Sequence, residues 1–270
     1  MIVKNNVPLS KVSWLSTSYK GFGHIKNLFY PENINELVEL LDKLIERGEK
    51  YIVVGHTSNL YFMPNYVCSN MISTKMLNKY RIEGSNLICE CGVKVSTLAK
   101  NLVKSGFKGF EGLIDMPGTI AGGLYGNAGC YGCNVADNLV RLEMLNGNGE
   151  VVTVSKADMM YSVRSSALKR NEMHGFILRA YFHLVGGDKE QLIRIAEKNH
   201  EDRKNNQPSP AHNLGSVYVD EYPSVLFYIV RALSHVYGFI RKCMGSRDIM
   251  TIRKNFELRL VGGGFSLLCR

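Results

Sequence analysis

Nothing in this sequence is long and apolar enough to span a membrane as a helix. The most apolar stretch, Val225 to Ile240, falls short of the roughly 20 residues a span needs, and Arg231 and His235 lie within it. Met1 to Ser10 has no apolar run of the kind that opens a secretory signal. Dense blocks of like charge are missing too. The net charge is +9, but the lysines and arginines are spread along the chain. Nucleic acid is therefore without the clustered basic face it requires. A pyrophosphate-bearing cofactor and a phosphorylated small molecule suit this charge equally well. The seven cysteines (68, 89, 91, 130, 133, 243 and 269) are odd in number and irregular in spacing, which argues against a disulfide framework. The histidines show no metal-ligand spacing, and the single C-x-x-C, Cys130 to Cys133, has no second pair to complete a zinc site. These absences predict a cytosolic protein with no membrane span, no resident metal and no nucleic-acid partner.

What is present is the composition of an ordinary globular chain: 270 residues, 45% hydrophobic and 21% charged. That length supports one large domain or two smaller ones. Asn33 to Arg47 has apolar residues at Ile34, Leu37, Val38, Leu41, Leu44 and Ile45, a helical spacing, and Gly48 supplies a stop. Tyr51 to Val54 reads as a buried strand. It runs into Gly55 to Phe62, a small-residue turn and a further apolar stretch, which predicts a βαβ-like opening. A strand is predicted at Asn86 to Cys91, where Cys89 and Cys91 read as half-buried packing, and an amphipathic helix at Ser96 to Ser105. Strands follow at Leu139 to Leu145 and Val151 to Val154, joined by the hairpin turn Asn146 to Glu150. Gly175 to Leu184 reads as a strand, Asp188 to Asn205 as a helix and Asn205 to Asn213 as a loop. Ser224 to Met244 reads as a helix and Phe256 to Val261 as a last strand.

Nine glycines fall between Gly106 and Gly132, without a repeat, so the backbone there adopts tight or unusual conformations. Three small-residue loops stand out: Gly55-His56-Thr57-Ser58-Asn59, Pro117 to Gly123, and Asn127 to Gly132. None fits a phosphate loop, which needs a Lys after the glycines, or a G-x-G-x-x-G junction between strand and helix. Separate loops of this kind can grip an extended dinucleotide from two sides. They can equally be a crossing where two chain segments touch.

The run Gly106 to Gly132 resembles the UDP-N-acetylenolpyruvoylglucosamine reductase family. Its pattern, roughly G-L-x-G-x-E-x-L-x-x-I-P-G-T-x-G-G-A-x-x-x-N-A-G-A-Y-G, is matched in register by Glu111, Pro117, Gly118, Thr119, Gly122, Gly123, Asn127, Ala128, Gly129, Tyr131 and Gly132. The family's other loop, G-x-G-S-N, is matched by Gly55, Ser58 and Asn59, with His56 and Thr57 between them. The resemblance implies an α+β, two-subdomain, vanillyl-alcohol-oxidase-type fold around FAD: residues 1–80 and 81–200, then a reduced substrate lobe over 201–270. It places the cofactor against all of these loop residues, except Glu111, and against Leu60 and Ile177.

It also implies roles beyond the loops. Tyr161 to Ser166, YSVRSS, is similar to the family's F-x-Y-R-x-S, with Val163 where the family has Tyr. Arg164 thereby becomes the arginine that polarises the substrate. Arg203, Gln207 and Pro208 match R-x-x-x-Q-P, which assigns Arg203 and Gln207 to substrate binding. Ser216, in Gly215-Ser216-Val217-Tyr218, takes the role of proton donor. Glu257, in Glu257 to Gly262, falls on the family's catalytic glutamate. The implied reaction passes hydride from NADPH through FAD to the enolpyruvyl double bond of a UDP-N-acetylglucosamine derivative, in peptidoglycan precursor synthesis. The likeness thins after Ser216. Val219, Asp220 and Glu221 replace Lys-Asn-Pro, and the interval to Glu257 is shorter than in the family. An alternative reading is therefore a non-catalytic FAD-binding relative with an eroded substrate site.

Overall fold

The computed structural model describes residues 1–12, 23–60, 62 and 65–206. Two sheets organise them. The first is built from β1 (Ile2–Pro8), β2 (His24–Tyr30), β3 (Tyr51–Val54) and β4 (Val67–Ser73), in the order β1-β2-β4-β3. β1 and β2 are antiparallel, while β2 and β3 both run parallel to β4. Strands that run the same way in one sheet need a crossover connection, and α1 (Ile34–Glu46) supplies it between β2 and β3, which flank β4.

The capping chemistry of α1 is readable residue by residue. The Asn33 side chain accepts the Glu36 amide at 2.9 Å. At the other end Gly48, at φ +61, lets its own amide reach the Ile45 carbonyl and the Glu49 amide reach Leu44. Leu37, Leu40, Leu41 and Leu44 are buried as one stripe, whereas Ile45 is 43% exposed.

The second sheet is antiparallel throughout: β5 (Tyr80–Glu83), β6 (Asn86–Glu90), β10 (Leu139–Asn146), β11 (Val151–Ser155) and β12 (Gly175–His183), in the order β11-β10-β12-β6-β5. Between β6 and β10 the chain makes α2 (Val95–Lys104), β7 (Phe107–Lys108), α3 (Ile120–Tyr125), β8 (Gly129–Cys130) and β9 (Cys133–Asn134). After β12 come β13 (Val185–Gly186), paired with β7, and α4 (Lys189–Asn206). Leu98, Leu102, Leu113, Leu124, Leu142, Ile177 and Phe182, all but inaccessible, belong to one core between this sheet and the helices. α4 adds only Leu192 and Ala196 to it.

Several sequence expectations need correcting. The βαβ unit is β2-α1-β3, one element earlier than predicted, because no helix occurs between β3 and β4 among the described residues. The glycine segment is not loop alone, since Ile120–Tyr125 is helical despite Gly122 and Gly123. Cys89 and Cys91 are fully buried rather than half-buried, and burial pushes both thiols far above their ordinary range. Asn205 and Asn206 close α4 instead of opening a loop. The predictions for 207–213, 224–244 and 256–261 lie outside the described residues. Among the described residues no helix is long and apolar enough to cross a membrane.

The Asn33 cap gives a direct check. Asn33→Ala should destabilise the fold by about 1 kcal/mol, read as a lower denaturant midpoint at unchanged slope.

Candidate functional site

The turn after β3 and the turn before α3 meet face to face, and two glycines make the meeting possible. A Cβ on Gly55 would stand 2.5 Å from Thr119 Oγ1 and 2.9 Å from its Cγ2. Across the same contact, a Cβ on Gly118, at φ +103, would stand 3.1 Å from Ser58 Oγ. Thr119 is buried, and its hydroxyl accepts the Gly122 amide at 3.3 Å, so one oxygen caps α3 and backs Gly55. The turn is laced from beneath: the Val95 amide donates to Gly118 O at 3.2 Å, and the Ile120 amide to Val93 O at 2.8 Å. Burial, then Lys94 and Lys75, hold the His56 imidazole below its ordinary 6.5, so it is neutral at pH 7. Leu60 is 38% exposed at the end of this turn.

α3 leads from this contact to a second group of residues. Asn127 Nδ2 donates to Ser162 O at 2.9 Å, while its Oδ1 is buried with no partner among the described residues. The β8–β9 hairpin turns on Tyr131 and Gly132, at φ 50 and 78, the paired left-handed conformation of a two-residue turn. Arg164 Nη2 donates to Gly129 O at 2.6 Å. Arg164 itself sits at φ 54, and Lys169 Nζ donates to its carbonyl at 2.7 Å. Ser166, fully buried, donates to Tyr125 O at 2.6 Å and so ties the arginine's segment to the end of α3. The Tyr161 hydroxyl is buried without a partner among the described residues, and burial pushes its pKa up.

Eight non-glycine residues among those described have positive φ, and four of them are predicted site residues: Thr57, Asn127, Tyr131 and Arg164. For a β-branched residue such as Thr57 this conformation is a true outlier. Strain of this kind persists only where surroundings enforce it, and it concentrates at working sites.

α4 closes the second group by polar clamps. Tyr131 donates its hydroxyl to Asp202 Oδ2 at 2.9 Å, and Arg203 Nη1 donates to Asp115 O at 2.6 Å. The Asp115 carboxylate meets His200 Nδ1 at 2.6 Å and Lys100 Nζ at 3.2 Å. Burial pulls that carboxyl up, but His200 and Lys100 outweigh it and leave it below 3.8. Arg203 lies over the Tyr131 ring at 5.8 Å, so it is turned onto the hairpin, with its Nε buried and unpartnered among the described residues. Arg164 and Arg203 both act on Cys130, whose thiol burial nevertheless holds above its ordinary value. Two guanidinium groups converging on one hairpin suit a carboxylate or phosphate.

The structure thus joins Gly55 and Ser58 with Gly118 and Thr119, and joins Asn127, Gly129, Tyr131, Arg164 and Arg203. Gly122 and Gly123 lie in α3 between the two groups, and Ala128 closes the turn after it through a 2.8 Å bond to Gly123 O. Ile177 stands apart on β12 with its side chain in the core. Gln207, Ser216 and Glu257 lie outside the described residues. Asp115, Lys100, His200 and Asp202 were not anticipated, because their partners are distant in sequence and no local pattern marks them.

A family model described as an FAD binding domain matches residues 25–155. A UDP-N-acetylenolpyruvoylglucosamine reductase of Carboxydothermus hydrogenoformans is 31% identical over 217 residues, 80% of this chain and 70% of that protein. One of Caldicellulosiruptor bescii is 32% identical over 204 residues, 75% of this chain. The match spans only 64% of that relative's length, and 65% of the Caldicellulosiruptor saccharolyticus one. The crystal structure of the Thermus caldophilus reductase shares the fold, with a TM-score of 0.63 at 24% identity over 77% of this chain and 71% of that one.

Gly55→Ala should force the two turns apart and weaken FAD binding by about tenfold or more, roughly 1.4 kcal/mol, with the far-UV spectrum retained. Gly126→Ala, where nothing lies within 4 Å of the added carbon, should leave affinity unchanged; flavin fluorescence titration reads both. A second expectation concerns acid. The Asp115 pairing stabilises the fold above 3.8 and is lost as pH falls through the lower, folded value. Asp115→Asn should remove that part of the acid slope in unfolding curves.

Proposed function

From the fact that this chain belongs to the UDP-N-acetylenolpyruvoylglucosamine reductase family, we propose that it reduces the enolpyruvyl double bond of a UDP-N-acetylglucosamine derivative, with NADPH as hydride donor. The observation that carries this reading is Arg164: left-handed, solvent-accessible, and anchored through its guanidinium on the Gly129 carbonyl of the glycine-rich hairpin.

The residues present fit FAD. Gly55 and Gly118 leave a close approach that side chains would fill, and Asn127 Oδ1 is a buried acceptor still without a donor among the described residues. When bound, FAD supplies hydride transfer between the nicotinamide and the substrate carbon. The turns Gly55 to Asn59 and Pro117 to Thr119 would hold its pyrophosphate, and Asn127 would offer its buried acceptor to the cofactor.

The protein's own part is charge and proton placement. Arg164 grips the enolpyruvyl carboxylate and favours the negative charge that builds beside it. Its left-handed backbone fixes where the guanidinium starts, so little orientation is left to arrange when substrate arrives. Arg203 adds positive potential at the same hairpin and holds α4 on Asp115. Ser216 delivers the proton to the carbon next to the carboxylate, and Glu257 assists; both assignments rest on family register alone.

NADPH should bleach the flavin of the purified protein, and UDP-N-acetylglucosamine enolpyruvate should restore its colour. Arg164→Met should stay yellow and bleach normally, yet lose about 10²-fold or more in the recolouring step. Bleaching without any recolouring in the unaltered chain would refute the substrate assignment.

A further inference from the structure

Cys130 and Cys133 are directly opposed on the β8–β9 hairpin, on either side of the Tyr131–Gly132 turn. Directly opposed residues of an antiparallel pair send their side chains to the same face. Here both sulfurs meet one residue. Cys130 Sγ donates to the Gly112 carbonyl at 2.8 Å, and a Gly112 backbone hydrogen bond acts on the Cys133 sulfur. Cys133 Sγ also lies 3.1 Å from where a Gly112 Cβ would stand. Opposed Cβ atoms sit about 4.5–5.5 Å apart, and a disulfide needs about 3.5–4.5 Å. A shift of the order of 1 Å therefore closes the pair. Cys130 is part-exposed and Cys133 buried, so a reagent from solution meets Cys130 first.

We propose that Cys130 and Cys133 form a redox-active dithiol that closes to a disulfide by exchange with a small-molecule disulfide. The Cys130 thiolate attacks one sulfur of the external disulfide, whose S–S bond breaks, releasing one thiol and leaving a mixed disulfide. The Cys133 thiolate then attacks Cys130 Sγ and displaces the second thiol. The two cysteine protons end on the two released thiols, and two electrons pass from the protein to the reagent. Burial holds the Cys130 thiol above its ordinary range and Arg203 and Arg164 offset only part of that, so the exchange runs through a minor thiolate fraction and quickens as pH rises. The bond spans only a tight turn, so it removes little chain entropy and is readily reduced: a reversible mark rather than a structural staple. Closure takes Cys130 Sγ off the Gly112 carbonyl. The preceding residue, Gly129, carries the carbonyl that anchors Arg164, so oxidation acts on the arginine through its support.

The effect on Arg164 rests on the reductase reading; the bond itself does not. The full-length, FAD-loaded protein should be incubated with oxidised glutathione, quenched in acid, alkylated and mapped by mass spectrometry. The peptide holding both cysteines should lose two hydrogens and regain them with dithiothreitol; in Cys130→Ala the buried Cys133 should stay alkylated, whereas Cys133→Ala should stop at a glutathione mixed disulfide on Cys130. Alanine is the residue the family pattern carries at position 130, so the first variant should fold. Oxidised protein should bleach normally with NADPH but recolour about tenfold more slowly with the enolpyruvyl substrate, while Cys130→Ala should be indifferent to the oxidant. In the unaltered protein, a peptide still alkylated at both positions, or stopped at the mixed disulfide, overturns the dithiol. A mapped disulfide with unchanged recolouring overturns the action on Arg164. Should the substrate reading itself be wrong, even the reduced protein fails to recolour, while the mapping result stands.

Discussion

The site depends on one close approach: the turn after β3 lies against the turn before α3 with no Cβ between them. Gly55 admits Thr119, and Gly118 admits Ser58. The first turn belongs to the mixed four-stranded sheet and the second is laced to the loop after β6, so the contact joins the two halves of the described fold. Any side chain at Gly55 or Gly118 would push the two turns apart and change the surface they form together, the surface proposed to receive the dinucleotide. Thr119 then does two jobs with one hydroxyl, because the helix it caps is the link to the Asn127, Tyr131 and Arg164 group.

The second half of the site is held by polar rather than apolar contacts. α4 buries only two apolar side chains, yet its last turns hold Tyr131, Asp115 and the Glu111 carbonyl through Asp202, His200, Arg203 and Asn199. Apolar packing is tolerant of small slips, whereas hydrogen bonds fix distance and direction. A hairpin that must present a carbonyl to Arg164 benefits from the second kind. Against burial, His200 and Lys100 hold the Asp115 carboxyl below its ordinary value, so it is ionised at neutral pH and serves the clamp as an anion.

Much of this was legible because local chemistry decided it. Asn33, the Leu37–Leu44 stripe and Gly48 specify α1 without help from the rest of the chain. The Asn146 to Glu150 turn likewise announces β10 and β11, since the Asn146 side chain accepts two of the turn's own amides. β1 and β2 escaped notice because their burial depends on partners elsewhere: Ile2 and Val3 are about half exposed, so no alternation marks the edge strand. α3 escaped because Gly122 and Gly123 have the lowest helix propensity short of proline, and only the Thr119 cap and the core around Ile120 and Leu124 overrule it. The loop residues of the site were found through a motif. The clamp of Asp115, Lys100 and His200 was not, because it is assembled from three elements and has no sequence period.

Left-handed backbone at four of the site's non-glycine positions raises the energy of the chain, by roughly 1–3 kcal/mol at each strained residue. Asn127, Tyr131 and Arg164 are each tied by a side-chain hydrogen bond to another segment: Asn127 to Ser162, Tyr131 to Asp202, and Arg164 to Gly129. The ties form a chain, from the end of α3 to the arginine's segment, back to the hairpin, and on to α4. Each strained residue is therefore held by a neighbour that is itself held, and no single tie can relax without loading the next. An unliganded chain that keeps such strain has already met part of the orientational cost of its chemistry. The Arg164 guanidinium rests on a backbone carbonyl rather than on a carboxylate, so its charge is not neutralised by that anchor, which is what the proposed role of gripping a substrate carboxylate requires.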